Sequence, residues 1–306
     1  MNYNLITILG PTATGKTRLA SLIANKFNGE IISADSRQVY KGMDIGSGKD
    51  ISDYIVDGHK VPYHLIDVVN PEQEFNLYLF IEYFKKAFKE ILSQNKIPVL
   101  AGGTGLYISS VVQNYMIKKA KYTEADAAKL SRLNFEELKS ILLSVRPKVH
   151  NKTDLENKRR LIKAILVSST EGEVLLKDFK IVSLVIGVKY ERSVVRERIT
   201  KRLTHRLNEG MVEEVQKLLE SGVSYGRLLN FGLEYKFIAL YLKGEINYDE
   251  MFSKLNTAIH AFAKRQMTWF RKMEREGVKI NWIANGNFEE AADLIEKHKF
   301  VSEPKL

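Results

Sequence analysis

Gly10-Pro11-Thr12-Ala13-Thr14-Gly15-Lys16-Thr17 follows the apolar run Leu5-Ile6-Thr7-Ile8-Leu9 and precedes a helical pattern, Arg18 to Phe27, with Leu19, Leu22, Ile23 and Phe27 on one side. The eight residues satisfy G-x-x-x-x-G-K-[ST], and strand, glycine-rich turn and helix are the setting this motif requires. In that setting backbone N–H groups and a helix N-terminus converge on one spot and bind phosphate oxygens. Lys16 adds a point charge, and the Thr17 hydroxyl can hold Mg²⁺. Gly10, Pro11, Thr12, Ala13, Thr14, Gly15, Lys16 and Thr17 are therefore the candidate phosphate contacts. The motif names a chemical group and leaves its owner open: a nucleotide such as ATP, or another diphosphate.

Outward from the loop, strands alternate with helices. Ile31-Ile32-Ser33-Ala34 reads as a second strand ending at Asp35, and His64 to Val68 as a short one. Asn76 to Gln94 carries Leu77, Phe80, Phe84, Phe88 and Leu92 at helical spacing. Ile97 to Ala101 is then a strand running into Gly102-Gly103-Thr104-Gly105. Such alternation implies a mostly parallel sheet whose ligands sit beyond the strand C-terminal ends. Asp35, Thr104 and the phosphate loop all fall at such ends, with Asp35 expected on the strand beside the loop strand. From about Met116 the texture becomes polar and helical: Thr123–Arg132, Asn134–Ser144, a break at Pro147 and a basic helix over Asp154–Ser168. Lys180 to Val188 returns as a buried strand. The rest is helical over Arg192–Asn208, Met211–Glu220, Tyr235–Leu242 and Tyr248–Met273, with a short strand at Lys279–Ile283. This gives residues 1–115 and 178–306 as the core and about 116–177 as a helical insertion.

The chain of 306 residues carries a formal charge of +10, which favours a polyanionic partner as much as it suits a solvated surface. Cysteine is absent, which excludes disulfides and thiolate metal sites. No apolar run has the length of a membrane span and strand and loop begin at once, so a cytoplasmic protein without a signal peptide is expected. His59, His64, His150, His205, His260 and His298 show no metal-ligand spacing.

Several side chains can carry chemistry. Asp35 can ligate Mg²⁺ or accept a proton, or simply cap the next turn, and Ser36-Arg37-Gln38 follow it directly. Thr104 is a strand-end hydroxyl or a helix cap. A P-loop kinase or ATPase tends to end this strand on an acidic residue, which is missing. Arg198, Arg202 and Arg206 share one helix face and can clamp a pyrophosphate. Arg159, Arg160 and Lys163 form a second basic face suited to backbone phosphates. Arg265 belongs to a third cluster, in which Phe262, Trp269 and Phe270 read as core more readily than as base-stacking surfaces.

These segments, in this order, resemble the tRNA dimethylallyltransferases (tRNA isopentenyltransferases, the IPP transferase family). The resemblance spans most of the chain. It rests on Gly10–Thr17, Ser33-Ala34-Asp35-Ser36-Arg37-Gln38-Val39-Tyr40-Lys41-Gly42-Met43-Asp44-Ile45-Gly46, His64-Leu65-Ile66-Asp67, Gly102-Gly103-Thr104-Gly105-Leu106-Tyr107 and Lys264-Arg265-Gln266-Met267-Thr268-Trp269-Phe270-Arg271. It implies an α/β fold: a P-loop NTPase-like parallel sheet core flanked by helices, with a helical insertion subdomain that contacts tRNA. It implies transfer of a dimethylallyl group from dimethylallyl diphosphate to N6 of adenosine 37, next to the anticodon, with Mg²⁺ as cofactor on Thr17. Asp35, Thr104, Lys16 and Arg202 would be the catalytic residues. Asp35, Ser36, Arg37, Gln38, Arg159, Arg160, Lys163 and Arg265 would meet the tRNA anticodon stem-loop, and the protein would act as a monomer.

The chain departs from the family pattern in places. The stretch from Tyr115 to Asp154 is short. Lys163 stands where Arg is usual, and Leu166 where Glu is frequent. Asn230-Phe231-Gly232-Leu233-Glu234-Tyr235 replaces a commoner Gly-Tyr-[Arg/Lys]-[Gln/Glu] segment, and these departures are expected to touch tRNA contacts or packing. Two other enzymes remain compatible with the residues, one prenylating free adenine nucleotide and one transferring phosphate from ATP. A non-catalytic RNA-binding relative is a third alternative.

Overall fold

The computed structural model describes residues 2–117, 122–145, 155, 157–168, 175–176 and 179–300. Its centre is a six-stranded parallel sheet of β1 (Leu5–Leu9), β2 (Gly29–Ala34), β3 (Tyr63–His64), β4 (Ile97–Gly102), β5 (Ser183–Lys189) and β6 (Ile280–Ala284), in the spatial order β3-β2-β4-β1-β5-β6. β1 pairs with β4 on one side and β5 on the other, so all five of its residues are buried. A strand covered on both faces and both edges reads as an unbroken apolar run, which is how Leu5–Leu9 appears in the sequence.

The helices cover both faces. Leu19 and Ile23 of α1 (Lys16–Lys26) and Ile295 of α12 (Phe288–Glu296) join Ile6, Ile8, Ile31 and Val99 in one core cluster. The alternate side chains Thr7, Ile32 and Leu100 are buried as well. α2 (Leu77–Ser93) packs on β2 and β4, and α3 (Gly105–Val112) packs on α2, with the Phe80 and Tyr107 rings stacked at 4.1 Å. The remaining helices of this unit are α7 (Arg192–Asn208), α8 (Met211–Glu220), α9 (Tyr225–Phe231), α10 (Leu233–Leu242) and α11 (Tyr248–Arg275). Their core takes in Val39, Tyr40 and Met43 from the segment after β2, together with Leu203, Val215, Tyr235 and Leu255. That segment is therefore built into the helical layer as part of its core.

Contacts divide the chain into Met1–Tyr115 with Phe179–Leu306, and Met116–Asp178. The second unit contains α4 (Glu124–Ser131), α5 (Phe135–Val145) and α6 (Lys158–Ser168), around Leu138, Leu142, Leu161 and Ile165. Thr123 and Asp126 form a reciprocal capping box at the start of α4. Leu166, in place of the family's frequent Glu, is buried. Pro147 and Asp154 lie outside the described residues.

Three local expectations change. β3 stops at His64, because Leu65 and Asp67 take φ of +63° and +55°, which a ladder cannot accommodate. Asp35 does not end the strand beside the loop strand: β4 lies between β1 and β2, the crossover through α1 having skipped one strand position. Two further helices are present, α9 and α12, beyond those the sequence pattern predicts. Each starts on a side-chain cap, Ser224 accepting from Arg227 N and Asn287 accepting from Glu290 N.

Candidate active site

The phosphate loop runs from β1 to α1. Ala13 and Gly15 adopt φ of +63° and +72°, bending the loop over the start of α1, and glycine suits the second position because it carries no Cβ. The Thr14 hydroxyl donates to the Pro11 carbonyl at 2.8 Å and closes the turn from inside. Gly10, Pro11 and Thr14 are buried and shape the loop, whereas Thr12, Ala13, Gly15, Lys16 and Thr17 line a crevice of about 540 Å³. Burial, then the Arg202 charge, lowers the Lys16 pKa to about 8, against the opposing pull of Asp35 and Asp50. An ammonium so placed is short of negative charge and well suited to an anion.

Gln266 of α11 joins this loop to the next strand end. Its Oε1 accepts from Thr12 N at 2.8 Å, and its Nε2 donates to the Gly103 carbonyl at 2.9 Å. A Cβ at residue 103 would overlap Gln266 Nε2, so the second glycine of Gly102-Gly103-Thr104-Gly105 is needed for this approach. One turn on, Trp269 packs closely against Gly105 and its Nε1 donates to Ser109 Oγ at 3.2 Å. Phe270 is fully buried, and Phe262 is half-buried and lines the crevice. Arg265 is exposed, its guanidinium 5.9 Å from the Phe262 ring centre.

At the β2 end, Asp35 faces the crevice while one of its oxygens accepts from Arg37 N at 2.9 Å. The carboxylate thus caps the turn and lines the site at once. Ser36 N donates to the Thr104 hydroxyl at 3.1 Å, and that hydroxyl makes no cap bond to α3. Thr104 therefore ties the ends of β2 and β4 together. Arg37 is paired with Glu234 at 2.7 Å and lies 5.4 Å over the Phe262 ring. Glu234 belongs to the segment that departs from the family pattern, so that departure reaches the crevice wall. Gln38 is buried, accepting from Ser33 Oγ and donating to the Gly48 carbonyl, both at 2.9 Å.

The rest of the long segment is held by two charged side chains. The Glu214 carboxylate accepts from Asp44 N, Ile45 N, Gly46 N and the Tyr235 hydroxyl, at 2.6–3.0 Å. The buried Lys49 ammonium donates to the Tyr40 carbonyl at 2.6 Å, to Asp44 Oδ1 at 2.7 Å and to Asp67. Asp67 of His64-Leu65-Ile66-Asp67 is thus part of this scaffold. His64 pairs with Glu30 at 2.7 Å, far along β2 from the crevice end.

The arginine face of α7 closes the site. Arg198 Nε donates to the Ala13 carbonyl at 2.7 Å, while Arg202 and Arg206 both engage Asp50. Burial pushes the Asp50 carboxyl up, but the two guanidiniums outweigh it and hold it below the usual carboxylate range. Asp53 also lines the crevice, and burial together with the Asp50 charge pushes it up. Asp50, Asp53, Glu234 and Phe262 were not among the expected site residues. Arg159, Arg160 and Lys163 are exposed on α6, in the second unit.

Among the described residues no group of three or more His, Asp or Glu side chains could hold a metal. Thr17 and Asp35 are hard oxygen donors in the crevice, which suits an ion that keeps waters and shares phosphate oxygens, as Mg²⁺ does. Among the described residues no helix is long and apolar enough to cross a membrane.

With this geometry, the comparisons with known proteins are specific. The family model described as IPP transferase matches residues 38–273, and one described as isopentenyl transferase matches residues 3–63. The chain belongs to the IPP transferase family. It is 46% identical over 293 residues to tRNA dimethylallyltransferase 1 of Syntrophus aciditrophicus, covering 94% of this chain and 96% of that relative. It is 48% identical over 293 residues to tRNA dimethylallyltransferase 2 of Citrifermentans bemidjiense, covering 96% and 94%. The solved tRNA isopentenylpyrophosphate transferase of Bacillus halodurans superposes with a TM-score of 0.69 at 29% identity, covering 97% and 96% of the two chains. A eukaryotic dimethylallyltransferase solved acting on tRNA shares the fold, with a TM-score of 0.77 at 20% identity over 100% of this chain and 81% of that one.

Replacing Gln266 by Leu strands the Thr12 N–H and the Gly103 carbonyl. Gln266→Leu is expected to lower unfolding free energy by about 2–4 kcal/mol and to weaken pyrophosphate binding. Arg265→Ala, one residue away and exposed, should stay within about 0.5 kcal/mol of the parent. Urea unfolding with pyrophosphate titration checks both.

Proposed function

We propose that the protein transfers the dimethylallyl group of dimethylallyl diphosphate to N6 of adenosine 37 in tRNA, next to the anticodon, releasing diphosphate. The observation that carries this reading is the placement of a carboxylate, Asp35, in the same crevice as a complete phosphate loop and an arginine pair. A phosphate loop alone fits many enzymes. One facing a proton acceptor across a crevice suits a reaction in which an amine attacks as a diphosphate leaves.

In the transfer, the N6–carbon bond forms, the carbon–oxygen bond to diphosphate breaks, and N6 gives up one proton. The lone pair of an exocyclic adenine amine is delocalised into the ring, so the amine is a weak nucleophile. Asp35 has one oxygen fixed by Arg37 N, which leaves the other to hydrogen-bond the amine and take its proton. Thr104 positions Asp35 through Ser36 N. The allylic carbon carries partial positive charge as its bond breaks, so much of the catalytic work lies in stabilising the leaving group. Lys16, the loop amides and Arg202 meet its growing negative charge. Thr17 would hold Mg²⁺, which would add charge neutralisation at the leaving group.

N6 is inaccessible inside a stacked anticodon loop, so the base is extruded into the crevice, beside Arg37. Arg159, Arg160 and Lys163 hold RNA backbone phosphates, in keeping with their exposure on one helix. Arg265 is a further exposed phosphate contact. Gln38 is buried and hydrogen-bonded at both ends of its amide, so it shapes the acceptor wall. On this reading the protein works in the cytoplasm.

Asp35→Ala is expected to cut prenyl transfer by roughly 10²-fold or more while tRNA affinity stays close to the parent value. Single-turnover transfer and filter binding measure the two; near-normal transfer would remove Asp35 from the mechanism. Arg160→Ala is expected to weaken tRNA binding and to lower the dependence of log K on log salt by about one phosphate contact. An unchanged slope would leave that face merely solvated.

A further inference from the structure

Asp50 has no part in the transfer as derived above, yet it sits in the diphosphate crevice with Lys16 and Thr17 and engages both arginines of the clamp. Its placement is not a chance of surface side chains. Asp50 follows Lys49, whose buried ammonium is anchored on Tyr40, Asp44 and Asp67. Gly48, two residues earlier, has φ of +72°, and a Cβ there would overlap the Arg206 guanidinium, so the backbone is shaped to admit the arginines. The Gly48 carbonyl is held by Gln38, and Glu214 fixes the amides of residues 44 to 46. The chain thus spends a whole polar scaffold on presenting one carboxylate to two arginines.

The two arginines are not equivalent. Both line the crevice, but Arg206 is nearly buried, with side-chain exposure of 10%, while Arg202 retains 30%. A carboxylate presents the same kind of oxygen to a guanidinium as a phosphate does, and the bidentate geometry of Arg suits either. An incoming diphosphate therefore meets an Arg202 that is already paired.

We propose that Asp50 is a built-in competitor of the diphosphate for Arg202: the guanidinium passes from Asp50 to the diphosphate on binding and returns to Asp50 on release. Arg206 remains with Asp50 throughout, so the carboxylate is never left without a counter-charge. Pyrophosphate is a product that binds the same cradle, with more charge than the esterified donor. An internal anion that retakes the arginine lowers the affinity for that product most and speeds its departure. Asp50 is accordingly a positioning residue that sets how tightly the site holds pyrophosphate. This inference rests on reading Gly10–Thr17 as a diphosphate cradle.

The test is calorimetric titration of the full-length protein with inorganic pyrophosphate in the presence of MgCl₂. Parent, Asp50→Asn, Asp50→Ser and the charge-retaining Asp50→Glu are compared. The exposed half of the ion pair is screened by solvent, so the expected gain is modest. Asp50→Asn and Asp50→Ser should both bind pyrophosphate about fivefold or more tightly, and Asp50→Glu should stay within about twofold of the parent. In steady-state transfer, product inhibition by pyrophosphate should strengthen in the same two variants. If Asp50 merely props the arginines in place, its loss weakens pyrophosphate binding. Weakened or unchanged affinity in either neutral variant that folds overturns the proposal. Failure of the parent itself to bind pyrophosphate would instead overturn the reading of the loop as a diphosphate cradle.

Discussion

The side-chain amide of Gln266 is the bond on which the site depends. It accepts from the phosphate loop at Thr12 and donates to the strand-end turn at Gly103, so one planar group sets the distance between the two. The strand ends of a parallel sheet are adjacent in any α/β protein, but their loops are free to diverge. Here α11 lies across them and fixes their spacing through a residue only 5% exposed. Thr104 extends the linkage from β4 to β2 by accepting from Ser36 N, and so carries it to Asp35. Phosphate loop, glycine turn and carboxylate are in this way one connected unit. The phosphate loop and the Asp35 carboxylate are held at a defined separation before any substrate arrives.

The second constraint is electrostatic. Lys16, Arg198, Arg202 and Arg206 crowd one crevice, and such a concentration of like charge in a partly buried site is costly without anions. The lowered pKa of Lys16 records that cost, as does the downward shift of Arg206, which burial and Arg202 produce together. Asp50 offsets part of it. Charge that is poorly satisfied by the protein itself is charge available to a diphosphate, most of all as its leaving oxygen becomes more negative.

Much of this was legible in the residues. Leu5–Leu9 followed by Gly10–Thr17 could be read because a central parallel strand is apolar throughout and the loop motif is fixed at four positions. The i, i+4 arginines of α7 were legible for a similar reason, since helical spacing alone puts them on one face. Gln266 and Trp269 were visible as part of the family resemblance, but their physical role was not, because it depends on glycines more than 150 residues away. Asp50 was unreadable for the same reason: its partners Arg202 and Arg206 are remote in sequence, and no local spacing announces an ion pair across a fold. The order of β1, β4 and β2 was likewise beyond a local pattern, because a crossover helix does not reveal how many strand positions it skips. His64–Val68 reads as a strand because it is short and mostly apolar, while Leu65 and Asp67 turn left-handed to deliver Asp67 to Lys49.

On the proposed reading, this crevice joins a dimethylallyl donor to RNA. That reading is tested most directly by incubating the protein with labelled dimethylallyl diphosphate, MgCl₂, unmodified tRNA and AMP together, then digesting the RNA and separating its nucleosides. Label is expected in N6-isopentenyladenosine from the tRNA and not in AMP. Label passing to AMP in preference to tRNA, or no label in either, would contradict it.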